Sequence, residues 1–265
     1  VCHMVWGGAG GWFADMGVQD FAGGIVVHIT AGVGALVACI MLGPRTGFPK
    51  KPMMPHNLPM TVTGAAMLWV GWFGFNGGSA LGANGDAASA LVVTQISAAT
   101  ATLVWMFVEW AKHGKPSLLG AATGAIAGLA AITPASGSVG PVGALVIGAL
   151  SGFICWWAST VLKLKLGYDD SLDVFGVHGV GGFIGTIMLG VFMAPAFGGV
   201  GGEGFSIGKQ LGVQLFAAAV TAVYTAVATF IILKLVKAVV GLRVDEQEEN
   251  TGLDTTYHGE EAYNE

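Results

Sequence analysis

Seven stretches of this chain, about 19–43, 59–83, 88–111, 117–135, 140–162, 173–195 and 207–236, are long, apolar and nearly bare of charge. A helix needs about 20 apolar residues to cross the hydrocarbon core of a bilayer. In that medium only helices and closed barrels satisfy their own backbone N–H and C=O groups. Runs of this length predict an all-α, polytopic transmembrane helical bundle over residues 1–242. Composition agrees. Of 265 residues, 54% are hydrophobic and 10% charged, and the mean hydropathy is +0.70. A soluble domain carries about 25% charged residues. The expected surroundings are a lipid bilayer, not nucleic acid.

The glycines lie inside the apolar runs, where small residues let helices approach closely. Gly120, Gly124 and Gly128 form two overlapping GxxxG spacings, and Gly148 with Gly152 forms another. These spacings indicate helix packing and name no function. Cys2, Cys39 and Cys155 have no metal-like or disulfide-like spacing and read as small apolar residues. No metal and no cofactor are expected.

Charge predicts the topology. Arg45, Lys50 and Lys51 follow the first span; Lys112 and Lys115 follow the third; Lys163 and Lys165 follow the fifth. Lys234, Lys237 and Arg243 close or follow the last, and only Lys209 lies on the other side. The positive-inside rule makes the lysine-rich face cytoplasmic. The expected placement is a cell inner (plasma) membrane, with the N-terminus outside and the C-terminus inside. After Arg243, residues 243–265 form an acidic cytoplasmic tail with eight acids. It reads either as a solvated disordered segment or as a docking peptide for a partner.

Deep within the spans, only His28 in "DFAGGIVVHITAG" and His178 in "DVFGVHGVGG" titrate near neutral pH. Ionisable groups at such depth are costly and usually functional. Both follow an Asp-led start (Asp20, Asp173) and a valine, and both precede small residues. Their spans run in opposite directions, as in transporters built from inverted repeats, whose sites lie near the midplane. The plain reading of Asp20 and Asp173 is a carboxylate that starts a helix. A neutral imidazole offers one donor and one acceptor. With no fixed carboxylate at mid-depth, a permanent cation faces a large desolvation cost there. This favours a neutral species at the bottleneck, or a proton handled by the histidines.

"WVGWFGFNGGSALGAN" (69–84) stacks Trp69, Trp72, Phe73 and Phe75 before Asn76 and Ser79. An interfacial aromatic belt is the ordinary reading. Phe75 and Ser79, four apart on one helix face, also suit a gated mouth. Trp6 and Trp12, in an outer segment without Lys or Arg, suit cation–π contact.

"HMVWGG" (3–8), "DFAGGIVVHITAG" (20–32), "PHNLPM" (55–60), "GWFGFNGGSA" (71–80), "GKPSLLGA" (114–121), "DVFGVHGVGG" (173–182) and the tail's "GLD…HGEEAYN" together resemble the bacterial Amt ammonium transporters, across essentially the whole chain. The resemblance implies eleven spans, two inverted five-helix repeats plus a long last helix, and a homotrimer with one pore per subunit. This chain resembles the part from just before the fifth span onward, so it is expected to be a piece of a longer protein. Trp6 and Ser79 resemble the outer recruitment site for ammonium, although the segment from Trp6 to Asp20 is about two residues longer than the family pattern. Asp20 resembles the buried acid behind that site. Phe75 resembles the inner ring of a phenylalanine gate and Trp72 a pore-wall residue. His28 and His178 resemble the twin-histidine pair. The tail resembles the region that takes part in control by a PII-type signal protein.

The resemblance implies a transporter and no enzyme. Ammonium gives up its proton at the outer mouth, and ammonia passes the histidines. Potassium, of similar size, has no proton to lose. Three rival expectations stand beside it: a sensor of the same family, a bis-histidine haem protein, and a chain inactive on its own because part of the pore wall is missing.

Overall fold

A computed structural model describes residues 1–261. Among these residues the chain is helical, with no β-strand. Seven helices are long and apolar enough to cross a membrane: α1 (Gly24–Leu42), α2 (Leu58–Gly78), α3 (Gly85–His113), α4 (Leu118–Ala135), α5 (Pro141–Leu166), α6 (Phe175–Phe192) and α7 (Ile207–Val239). Two short helices, Cys2–Trp6 and Trp12–Asp15, precede them.

Capping explains several boundaries. Asn57, Asn84 and Ser117 accept the backbone N–H of Met60, Ala87 and Gly120, satisfying otherwise orphaned donors at the starts of α2, α3 and α4. The apolar run that reads as 59–83 ends as helix at Gly78. Leu81, at φ +56, then turns the chain into Asn84.

Helices α3, α4 and α5 form the most closely packed group. A Cβ on Gly128 would lie 2.5 Å from the carbonyl oxygen of Ser97, and one on Gly148 would lie 2.6 Å from the same oxygen. The Ser97 hydroxyl donates to Gly128 O at 2.9 Å. The GxxxG spacings thus act as helix contacts, with α3 wedged between α4 and α5. α2 packs on α3 and α4 but leaves Met60, Met67, Leu68 and Val70 exposed. In a membrane protein such a face meets lipid or further protein.

α1 and α6 cross closely and antiparallel. Gly32 lies against Gly179, while a Cβ on Gly182 would come within 2.7 Å of His28 Cβ. α7 runs along both.

The tail is partly ordered. Asp245 and Glu248 form a reciprocal capping box for the short helix Glu246–Thr251. Arg243 donates to Glu249 and to the carbonyls of Pro44 (2.7 Å) and Leu42 (3.2 Å), which clips the tail to the connector after α1. Within the described residues the tail thus carries a short helix held against the chain's own connector. Residues 262–265, which include part of the tail motif, lie outside those described.

Candidate functional site

The Asp20 carboxylate organises the start of α1. Its Oδ1 accepts the N–H groups of Gly23 (3.0 Å) and Gly24 (2.6 Å), and its Oδ2 accepts those of Ile25 (2.8 Å) and Val26 (3.0 Å). These donors have no intrahelical partner, and the positive end of the helix suits an anion. Gly23 sits at φ +122, a conformation open to glycine. The helix then begins with a π turn over Gly24–Ile29, in which His28 N–H reaches back to Gly23 O at 2.9 Å.

His178 also rides on a π turn, Phe175–Gly179. Such turns recur at functional sites because the extra residue re-aims the side chains around it. Here the carboxylate at the helix start is not Asp173. Asp170 Oδ2 accepts Phe175 N–H at 2.7 Å, whereas Asp173 turns its carboxylate to Lys163 Nζ at 2.6 Å. With φ at +55, Asp173 sits in the left-handed turn that admits the chain to α6, so its side chain points away from the helix's free donors. The expectation that it caps the helix is corrected on that ground.

The two turns bring the histidines together. The Nδ1 atoms of His28 and His178 are 3.2 Å apart, and the rings are nearly parallel at 5.2 Å between centroids. One Nδ1 donates and the other accepts, so a neutral pair satisfies the contact in either tautomeric arrangement. A hydrogen-bond separation between facing nitrogens leaves no room to seat a haem iron between the rings. His28 is buried, and its Nε2 has no hydrogen-bond partner.

Aromatic rings line the same place. Trp72 stacks on His28 at 5.4 Å, and Phe75 lies 6.2 Å from His28 and 5.7 Å from Trp72. Trp72 Nε1 donates to Thr133 Oγ1 at 2.9 Å, and that hydroxyl donates to Leu129 O. Thr133 therefore fixes the indole through α4. Asn76, fully buried next to Phe75 in sequence, donates to Thr94 at 2.8 Å. Phe75 itself remains 41% exposed, so its outer face is open.

The remaining expected residues stand apart. Trp6 Nε1 donates to the Asp20 carbonyl at 2.7 Å, which ties the outer indole to the residue that caps α1. Ser79 follows the last turn of α2 and donates to Phe75 O at 2.7 Å. Trp6 and Ser79 thus spend their donors on the backbone and are not bonded to each other.

Where α1 ends and α6 begins, charge is clustered. Arg45 donates through its backbone N–H and Nε to Asp169 Oδ2, both at 2.8 Å, and through Nη2 to Oδ1 at 2.7 Å. The guanidinium holds the Asp169 carboxyl below the usual carboxylate range. Burial pushes the Asp173 carboxyl up, against the opposing pull of Lys163.

Comparison with known proteins adds a family. The sequence model of the Ammonium Transporter Family matches residues 1–263. The chain belongs to the ammonium transporter family. It is 48% identical to the ammonium transporter of Aquifex aeolicus over 264 residues, covering 100% of this chain and 61% of that protein. To ammonium transporter Amt1 of Archaeoglobus fulgidus it is 49% identical, covering 98% of this chain and 66% of that protein. The chain thus spans less than two thirds of the length of these relatives. Among solved structures, one titled a sensor Amt protein matches with a TM-score of 0.86 at 34% identity, covering 93% of this chain and 62% of that one. Mep2 of Saccharomyces cerevisiae matches with a TM-score of 0.81 at 36% identity, covering 90% and 56%. The ammonium transporter relationship accounts for the all-helical membrane bundle and agrees with the motifs read along the chain.

Sequence reading missed Thr133, which holds the Trp72 indole, and Asp170, which caps the turn that carries His178.

Proposed function

We propose that this chain supplies part of the wall of an ammonium-conducting pore in a cell inner membrane. Trp6 and Ser79, backed by Asp20, recruit ammonium at the outer mouth. Phe75 gates it, and the proton is given up before the dry section. Ammonia then passes Trp72 and the pair His28–His178. The observation that carries this reading is the buried Nε2 of His28, unpartnered beside a shared Nδ1 contact and an indole face. A buried polar atom without a partner is costly unless something else bonds to it. A small neutral solute that both donates and accepts hydrogen bonds meets that need in either tautomer, whereas a bare alkali cation donates no hydrogen bond and loses its hydration in a dry site. The names of the relatives support ammonium as the substrate.

The reading includes the family's homotrimer, a cytoplasmic tail and an outer N-terminal segment. Tail residues docked on the connector after α1 suit contact with a PII-type regulator. The test is reconstitution in liposomes of the protein that carries this chain. Saturable uptake of ammonium, with potassium neither carried nor competing, is expected. Potassium uptake at a comparable rate overturns the reading.

A second reading, an ammonium sensor, is favoured by the match to the sensor Amt protein. Growth of an uptake-deficient cell on scarce ammonium separates the two. A transporter restores growth, whereas a sensor binds ammonium without restoring it.

A further inference from the structure

The fully buried side chain of Gln214, in the third turn of α7, is the least explained polar group near the outer mouth. Its amide pairs with the backbone N–H and C=O of one residue, as in an antiparallel strand pair. Oε1 accepts Gln19 N–H at 2.8 Å, and Nε2 donates to Gln19 O at 2.7 Å. The second amide hydrogen reaches Thr186 O on α6 at 3.3 Å, and Oε1 also accepts from Gln210 Nε2 at 3.2 Å. Gln210, one turn earlier, donates to Gly17 O at 3.0 Å. Every donor and acceptor of the Gln214 amide is used, as burial in an apolar setting requires.

The residue it grips adjoins Asp20. Asp20 acts at two ends: its carbonyl orients the Trp6 indole and its carboxylate caps the helix that carries His28. We propose that Gln214 is a positioning residue for the outer recruitment site, acting through Gln19 and Asp20 on the Trp6 ring. It touches no substrate. The proposal rests on the ammonium reading above. A misaligned Trp6 ring weakens capture of the cation, while the His28–His178 contact and the Phe75 ring have no bond to Gln214, whose bond to α6 is to the Thr186 carbonyl, about two turns beyond His178. Loss of Gln214 therefore raises KM and leaves the turnover per folded protein.

Gln214→Glu is the sharp test, because it keeps size and the acceptor for Gln19 N–H but sets a carboxylate oxygen against the carbonyls of Gln19 and Thr186. Gln210→Ala is the milder variant, removing only the Gly17 bond and one donor to Oε1. In the full protein in liposomes, KM for ammonium is expected to rise about five- to tenfold in Gln214→Glu, matching the loss of one or two hydrogen bonds. A smaller rise is expected in Gln210→Ala, with the maximal rate per folded protein unchanged in both. In a Trp6→Leu background, Gln214→Glu is expected to add nothing further, as coupled residues do. A maximal rate that falls with KM constant, or effects that simply add, overturns the proposal. Should Gln214→Glu fail to fold, the Gln210→Ala result decides alone. A readout independent of transport is the 19F resonance of 5-fluorotryptophan at position 6, assigned by its loss in Trp6→Leu. It is expected to shift or broaden in both variants. An unmoved resonance overturns the positioning role even where uptake is normal. A wild-type protein that carries no ammonium overturns the functional reading, even where the resonance moves.

Discussion

His28 and His178 share an Nδ1···Nδ1 contact of 3.2 Å although 150 residues separate them in the chain. Two antiparallel helices, each opening with a π turn and each thinned by glycines, place the rings face to face. Because both rings engage through Nδ1, the pair uses one nitrogen of each ring on the other. His28 Nε2 is left without a partner.

Replacing His28 by Ala in the full protein removes that ring nitrogen. Ammonium transport, or its discrimination from potassium, is expected to change by about tenfold or more, the scale of one lost hydrogen bond in a dry setting. Parallel ammonium and potassium flux measurements check this. Unchanged transport with unchanged selectivity counts against the paired role.

Thr133→Val leaves the Trp72 N–H buried without an acceptor. The expected cost is about 1–3 kcal/mol, seen as a lower midpoint in thermal unfolding in detergent. Trp72→Phe, which removes donor and ring area together, is expected to lower it as well and to disturb flux past His28.

The glycine contacts predict different outcomes at two helical positions. Gly128→Ala sets a methyl 2.5 Å from Ser97 O and forces α3 and α4 apart; overpacking of this kind costs about 1–3 kcal/mol. Gly212→Ala on α7 meets no atom within 4 Å, so the usual helix preference for alanine leaves it neutral or slightly stabilising. Unfolding midpoints of the two variants are expected to fall on opposite sides of, or at least well apart about, the wild type.

The Arg45–Asp169 pair predicts a pH dependence. Arg45 holds the Asp169 carboxyl below its ordinary value, and an unfolded Asp titrates near about 3.9. A depressed carboxyl contributes stability that is fully present above the unfolded value and is lost as pH falls through the folded one. Acidification below about pH 4 is expected to loosen the connector after α1, read as faster amide exchange over residues 43–51. Asp169→Asn is expected to show fast exchange already at neutral pH and little further change with acid. The partial exposure of Arg45 keeps the effect modest.

The sequence by itself determined the class of fold, the number of spans and the two histidines within them, because hydrophobic length and the cost of burying charge are properties of consecutive residues. Ordered motifs along the whole chain pointed to the family. Local reading also found Asp20 as the acid at the start of α1, since a cap acts on the next few residues. It assigned the same role to Asp173, and there the backbone decided otherwise: at φ +55 the chain turns, Asp170 reaches the free N–H of Phe175, and Asp173 meets Lys163. Only the tertiary structure could pair Nδ1 with Nδ1, anchor Trp72 on Thr133 or seat Gln214 on Gln19, 195 residues away. These are contacts between distant segments. Their geometry follows from how closely glycine-lined helices approach, a property that no local stretch of the chain contains.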